Sequence, residues 1–138
     1  MVLALIAQRI TGIPFHDLVQ NRVCTPAGMR DSAFFRSDEL PDRTAVGYLP
    51  LARRSRSNVF HLPVRGSGDG GMYSTVADIR VFWQSLFAGR IVSPPWVAEM
   101  VRPHSDVPAQ SMRYGLDFWL HRSGTAVMRR GGFVPDRP

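Results

Sequence analysis

A chain of 138 residues has room for one domain with its own core, and 44% hydrophobic against 20% charged residues places it among folded rather than disordered chains. The formal net charge is +6, and all 17 basic residues are arginine, so a mechanism that needs a lysine amine finds none here. One cysteine, Cys24, excludes an internal disulfide and a cysteine-cluster metal site.

No run reaches the roughly 18 apolar residues of a membrane span, so no transmembrane segment is expected. Residues Met1 to Ile10 are apolar but have neither a basic n-region nor a small-residue cleavage site, unlike a signal peptide. The arginines are scattered, with local clusters only at Arg53-Arg54-Ser55-Arg56 and Arg129-Arg130. A nucleic-acid binder concentrates its charge on one face or stripe, so the excess reads as solvated surface and no nucleic-acid partner is expected.

The first element is a helix over Val2–Thr11, with Leu3, Ile6 and Ile10 on one face and Gly12 as its stop. It opens within an apolar pattern and without an N-cap, as a helix that has lost its lead-in would. Pro14, a good first helical residue, begins a second helix to Val23 along Phe15, Leu18, Val19 and Val23; Thr25-Pro26-Ala27-Gly28 ends it. Met29 to Phe35 reads as a turn and an extended piece. Ser37 to Asn58 is a polar surface excursion with a short strand near Val46–Leu49, and Val59 to Val64 is extended.

The stretch around which the chain is organised comes next. Gly66, Gly68, Gly70 and Gly71 put four glycines into six residues, where backbone can adopt positive φ and other groups can come close. Ser74 and Thr75 are both good N-caps, and Thr75-Val76-Ala77-Asp78 resembles a capping box with Asp as the reaching acid. Val76, Ile79, Trp83, Leu86 and Phe87 then recur at helical spacing over Thr75–Ala88, and Gly89 stops the helix. Phe82, Trp83 and Phe87 read as core.

Ser93-Pro94 caps a short helix that ends before Pro103, and His104 to Met112 reads as loop. Tyr114, Leu116, Phe118 and Leu120 alternate as one strand face. Ser123-Gly124 is a hairpin signal leading to a partner strand over Thr125–Met128. The fold class is therefore mixed α/β, with helices and an antiparallel C-terminal strand pair.

Several tempting patterns fail on their context. Gly66-Ser67-Gly68-Asp69-Gly70-Gly71 matches G-x-G-x-x-G, but a dinucleotide site needs a preceding core strand, a βαβ unit and an acid about 20 residues on; none is visible, and no cofactor is expected. The nucleophile-elbow pattern fails at Ser67 because Arg65 stands where glycine is required. His16, His61, His104 and His121 show no ligand spacing, so no metal site is expected and they read as surface or satisfied histidines. Ser67 and Ser74 have no neighbouring base in sequence, and Ser74 reads as a helix cap.

Four landmarks, in order, resemble the beta-lactamase-related serine hydrolases, the family of class C beta-lactamases, D-Ala-D-Ala peptidases and related esterases. Val2 to Phe15, with its Thr11-Gly12 ending and following aromatic, is similar to the helix after that family's tyrosine motif. Pro26-Ala27-Gly28-Met29-Arg30-Asp31-Ser32-Ala33-Phe34 is similar to its Pro-Leu-Gly-Met-x-x-Thr-x-Phe. Gly70-Gly71-Met72-Tyr73-Ser74-Thr75-Val76-Ala77-Asp78 resembles its Gly-Gly-x-x-Ser-Thr-x-x-Asp, and Tyr114-Gly115-Leu116-Asp117-Phe118-Trp119 its Tyr-Gly-Leu strand.

The resemblance implies a partial beta-lactamase/transpeptidase-like fold over residues 1–138, and a parent reaction in which serine takes an acyl group from a small amide, ester or peptide-like substrate and gives it to water. The family's nucleophile lies in Ser-x-x-Lys, activated by that lysine and by the tyrosine of Tyr-x-Asn. Neither motif occurs in this chain, so no catalytic residue is expected in it. In the family both precede the helix that here begins at Val2, and a strand and terminal helix follow the region near Pro138. The chain thus reads as a C-terminal fragment. The family's third motif, His/Lys-Thr/Ser-Gly, falls at Arg129-Arg130-Gly131-Gly132; these four are the substrate-groove candidates, and Gly68, Asp69, Gly70 and Gly71 form the loop candidate. Helix faces that would cover an absent half are expected to be exposed and to favour self-association or a partner.

Overall fold

The structure, a computed structural model, describes residues 2–51, 54–121, 127–129 and 132–134. It mixes helices with antiparallel strands in two compact units, Met1–Gln84 and Ser85–Pro138.

In the first unit, α1 spans Val2–Thr11 as the sequence predicts. Gly12 takes a φ of 68° and donates its N–H to the Gln8 carbonyl at 2.9 Å, a left-handed cap that only glycine adopts without strain. The expected inward stripe is not covered: no residue of α1 is buried, and Leu3 and Ile10 are 81% and 80% exposed.

The second helix is longer than predicted. It runs as α2 (Phe15–Val19), a π turn (Gln20–Cys24) and α3 (Thr25–Ala27), with Pro14 as the residue before the helix rather than its first member. Pro26 has no N–H to donate and its ring crowds the preceding turn, so a helix that contains it needs local widening. The π turn just upstream supplies it: the Thr25 N–H reaches back five residues to the Gln20 carbonyl. Gly28, at a φ of 78°, ends the helix, with Gly28 N–H on the Thr25 carbonyl at 3.1 Å and Met29 N–H on the Cys24 carbonyl at 2.9 Å. That pair of bonds is a Schellman cap.

Cys24, Ala27, Met29 and Phe34 form the buried apolar centre of this unit. Burial pushes the Cys24 thiol above its ordinary pKa, and the Asp78 carboxylate pushes in the same direction. The polar excursion contains a hairpin of β1 (Tyr48–Leu51) and β2 (Arg54–Ser57), paired antiparallel. Val59–His61, expected to be extended, is a turn of 3₁₀ helix. The Ser57 hydroxyl accepts the Val59 N–H and the Asn58 carbonyl accepts that of His61, so polar residues hold a local turn against strand-forming side chains.

Helix α4 covers Val76–Phe87, inside the predicted span. The Thr75 hydroxyl accepts the Asp78 N–H at 3.1 Å, so Thr75, not Ser74, is the cap. Its inward face differs from the apolar stripe. Val76 is 89% exposed and Phe87 also faces solvent, while Asp78, Ser85 and Leu86 are buried. Phe82 and Trp83 are half-buried and meet edge to face at 5.3 Å.

In the second unit, α5 spans Pro94–Met100 with Pro94 at its first position; Ser93 precedes it but makes no side-chain cap bond. A five-stranded antiparallel meander follows in the order β3 (Ser105–Val107), β4 (Met112–Tyr114), β5 (Trp119–His121), β6 (Val127–Arg129) and β7 (Gly132–Val134). Two expectations are corrected here. The segment read as loop contains β3, paired with β4. And Tyr114–Leu120 is not one strand but the end of β4, a turn and the start of β5, with Tyr114 opposite Trp119.

The reason lies in the turn residues. Gly115 donates to the Phe118 carbonyl at 2.8 Å and Asp117 takes a φ of 63°, a conformation short polar side chains tolerate. The Tyr114 hydroxyl closes the turn on the Asp117 carboxylate at 3.0 Å, and this bond raises the tyrosine pKa. Phe118 and Leu120 are buried, whereas Leu116 at the turn is exposed. The predicted partner strand is present as β6, facing β5 through Trp119–Met128 and Leu120–Val127. Ser123, Gly124 and Thr125 lie outside the described residues.

Candidate functional site

The glycine loop is a tight β-turn on a braced base. Ser67 and Gly70 exchange backbone bonds, Ser67 N–H to the Gly70 carbonyl at 2.8 Å and Gly70 N–H to the Ser67 carbonyl at 3.0 Å, which leaves Gly68 and Asp69 at the tip. The Ser67 hydroxyl donates to the Asp69 carboxylate at 2.5 Å and holds that acid below the usual carboxylate range. Gly70 and Gly71 have φ of 142° and 88°. A Cβ on Gly66 would lie 2.5 Å from the Gly70 and Gly71 carbonyl oxygens, and one on Gly71 would lie 2.7 Å from the Gly66 Cα. Two backbone segments touch here, so the glycines are required by contact as well as by conformation.

Three anchors fix the loop. The Gly66 carbonyl bonds the His16 Nε2 at 2.8 Å, with the His16 ring tilted against Phe34 at 4.9 Å between centroids. The Arg65 Nε donates to the Phe34 carbonyl at 2.7 Å. On the far side, Tyr73 and Ala33 exchange backbone bonds at 3.0 and 3.1 Å. The sequence shows no partner for His16; a single histidine fifty positions from its acceptor leaves no spacing signal.

Asp78 forms the knot beneath this loop. Only 5% exposed, its carboxylate accepts the backbone N–H groups of Arg30 at 3.3 Å and Asp31 at 2.8 Å, and the Ser32 hydroxyl at 2.7 Å. Ser32 in turn shares a 2.7 Å bond with Ser74. The acid expected to reach back into its own helix start instead ties that start to the loop after α3, and Ser74, expected as a cap, belongs to this network. Two family-like landmarks, Pro26–Phe34 and Gly70–Asp78, thus meet in one structure. The Asp78 oxygens are occupied in holding backbone, so this Asp–Ser–Ser row braces two loops and offers no free base to a serine.

Beside the loop lies a hollow of about 210 Å³ lined by Phe35, Leu62, Pro63, Gly66, Gly71, Met72 and Tyr73. Of the groove candidates in the second unit, Arg129 closes β6 directly opposite Gly132, which opens β7; Arg130 and Gly131 lie outside the described residues. His61 bonds Arg56 at 2.9 Å, and His104 stands 3.4 Å from Glu99, a carboxylate lowered mainly by its bonds from Arg102. Among the described residues no three His, Cys, Asp or Glu converge as metal ligands, and no single helix is long and apolar enough to cross a membrane.

Comparison with known proteins agrees with this geometry. Putative penicillin-binding protein PbpX of Bacillus subtilis is 29% identical over 121 residues, 86% of this chain and 29% of the relative. The crystal structure of a penicillin-binding protein from Bacillus halodurans superposes with a TM-score of 0.84 at 29% identity, covering 91% of this chain and 40% of that one. A D-amino acid amidase from Ochrobactrum anthropi SV3 gives 0.69 at 28% identity over 92% of this chain and 39% of the amidase. The chain therefore spans roughly a third of the length of the relatives it matches. The Beta-lactamase family profile matches residues 1–134, nearly the whole sequence, and the chain belongs to that family.

Proposed function

We propose that this chain supplies the wall and floor, but not the nucleophile, of an acyl-transfer site that hydrolyses a small amide, ester or peptide-like substrate. The observation that carries the reading is a family match over residues 1–134 in a chain without lysine or Tyr-x-Asn. A serine hydroxyl at its ordinary pKa is a weak nucleophile and needs an adjacent base. In this reading residues 1–138 are one part of a single catalytic domain, and Gly68, Asp69, Gly70 and Gly71 form a rigid turn of the first unit. Arg129 or Arg130 meets a substrate carboxylate by a bidentate, charge-assisted bond, and the glycine that follows in this motif leaves room for the substrate.

Incubation of the chain with labelled penicillin or a fluorophosphonate, followed by intact-mass spectrometry, is expected to give no adduct and no turnover of a short acyl ester above background. A stoichiometric adduct on any serine would reveal a nucleophile and base that this reading denies.

A second, non-catalytic reading is favoured by α1, whose Val2, Leu3 and Ile10 are 70%, 81% and 80% exposed. An apolar helix face left in water is an association surface: a partner, or a second copy, covers it. Sedimentation velocity is expected to show concentration-dependent association that Leu3→Glu with Ile10→Glu reduces. Monodisperse monomer at high concentration would rule this out.

A further inference from the structure

We propose that the β1–β2 hairpin and the 3₁₀ turn after it form a face that docks on an anionic lipid surface. The proposal is independent of the hydrolase reading: it concerns what this face rests on, not what is cleaved. The arginines are scattered along the sequence, but the acids are not. Between Asp42 and Asp69 stand Arg43, Arg53, Arg54, Arg56 and Arg65 with no acid among them. This stretch therefore holds five of the six net positive charges, and the rest of the chain is nearly neutral.

The charge is presented to solvent. Arg54 and Arg56 are exposed and, two apart on β2, share one face of the ribbon. Among the described residues neither takes part in an ion pair, and Asp38 and Glu39, ahead of the hairpin, are held by Arg36. Arg56 donates to the His61 Nε2 at 2.9 Å, which brings the turn Val59–His61 to the arginine side. Phe60, in the middle of that turn, is 89% exposed, and Leu62 and Val64 after it are exposed as well. The Asn58 N–H on the Gly47 carbonyl at 2.9 Å and the Ser37 N–H on the Val64 carbonyl at 2.7 Å hold hairpin and turn at both ends. A face braced in this way needs little further ordering on binding.

The mixture of side chains selects the partner. A nucleic acid would take the arginines and stack on Phe60, but it offers nothing to Leu62 and Val64. The boundary layer of a bilayer takes both kinds: lipid phosphates meet the guanidinium groups, and the apolar side chains enter the layer below the headgroups.

The test is cosedimentation of the full chain with vesicles at about 0.1 M salt, where charges are screened beyond about 10 Å. Vesicles of phosphatidylglycerol and phosphatidylcholine in equal parts are expected to bind about 10-fold or more tightly than phosphatidylcholine alone. Arg54→Gln with Arg56→Gln should weaken that binding about 30-fold, or about 5-fold for each arginine. Arg54→Lys with Arg56→Lys keeps the charge and should stay within about 3-fold of the parent. So should Arg22→Gln with Arg80→Gln, the same change of net charge at exposed positions elsewhere. Phe60→Ser should weaken binding about 5-fold, whereas Tyr48→Ser, opposite Ser57 on the other ribbon face, should not. Equal binding to the two vesicle types, or equal loss from both Arg→Gln pairs, overturns the proposal, because the second result would leave only net charge at work. A loss at Tyr48→Ser as large as at Phe60→Ser overturns the assigned face. Binding that disappears in Leu3→Gln with Ile10→Gln belongs to α1 and overturns it too. A single-stranded oligonucleotide that binds with this arginine dependence, while vesicles do not, gives the face to nucleic acid and refutes the lipid partner.

Discussion

Asp78→Ala is expected to cost roughly 3–4 kcal/mol of folding stability, measured as the shift of the urea midpoint at constant slope. The carboxylate is buried and accepts three hydrogen bonds, from the Arg30 and Asp31 backbone N–H groups and the Ser32 hydroxyl. Hydrogen bonds to a charged group contribute about 1.5–3 kcal/mol, and a buried donor left without an acceptor carries its own penalty of about 1–3. The terms overlap, because backbone released from the knot recovers some water. A domain with only about 5–15 kcal/mol in hand loses a large share of it. Asp78→Asn keeps the shape but turns an N–H₂ toward donors, and is expected to fall at about half the alanine cost. Ser32→Ala removes one donor together with its need for a partner and is expected to cost about 1 kcal/mol. An Asp78→Ala midpoint within about 0.5 kcal/mol of the parent would show that the knot holds nothing.

Gly71→Ala is expected to cost about 3 kcal/mol by the same measurement, from two sources that a neighbour separates. At a φ of 88° an alanine sits in sparsely populated backbone space, at about 1–3 kcal/mol. Its Cβ would also lie 2.7 Å from the Gly66 Cα, a backbone atom that cannot swing aside, and such overpacking costs about 1–3 kcal/mol. Gly70 also has a positive φ, 142°, but a Cβ there meets nothing within 4 Å. Gly70→Ala therefore isolates the strain and should be the milder of the pair. Equal losses at both positions would mean that crowding against Gly66 contributes nothing. Gly66→Ala carries the crowding without the positive-φ strain, its Cβ lying 2.5 Å from the Gly70 and Gly71 carbonyl oxygens.

The two variants probe different parts of one device. Asp78 ties the start of α4 to the loop after α3, and the close approach of the Gly66 and Gly71 backbones closes the base of the glycine loop. Loss of either is expected to loosen the hollow lined by Met72 and Tyr73.

What the sequence determined by itself was local. Helix α1 with its glycine stop, and the start of α4 within a pair of capping residues, Ser74 and Thr75, each depend on residues within one turn, whose chemistry is legible at close range; which hydroxyl caps α4, and the run of the second helix past Val23 to Ala27, were not. The four ordered landmarks sufficed for the family, and the missing lysine for the absence of its Ser-x-x-Lys pair. Tertiary structure decided which local options were used. Tyr114 to Leu120 has the alternation of a strand, yet Gly115 and Asp117 fold it into a turn because β4 and β5 gain a full set of cross-strand bonds that way. Asp78 satisfies the pattern of a capping acid, yet it serves Arg30, Asp31 and Ser32, donors that lie 46 to 48 positions away in the chain. His16 likewise meets Gly66 across 50 positions. A carboxylate or an imidazole carries no record of its distant partner in its neighbours; only the fold, by bringing two loops to one helix start, gives each its role.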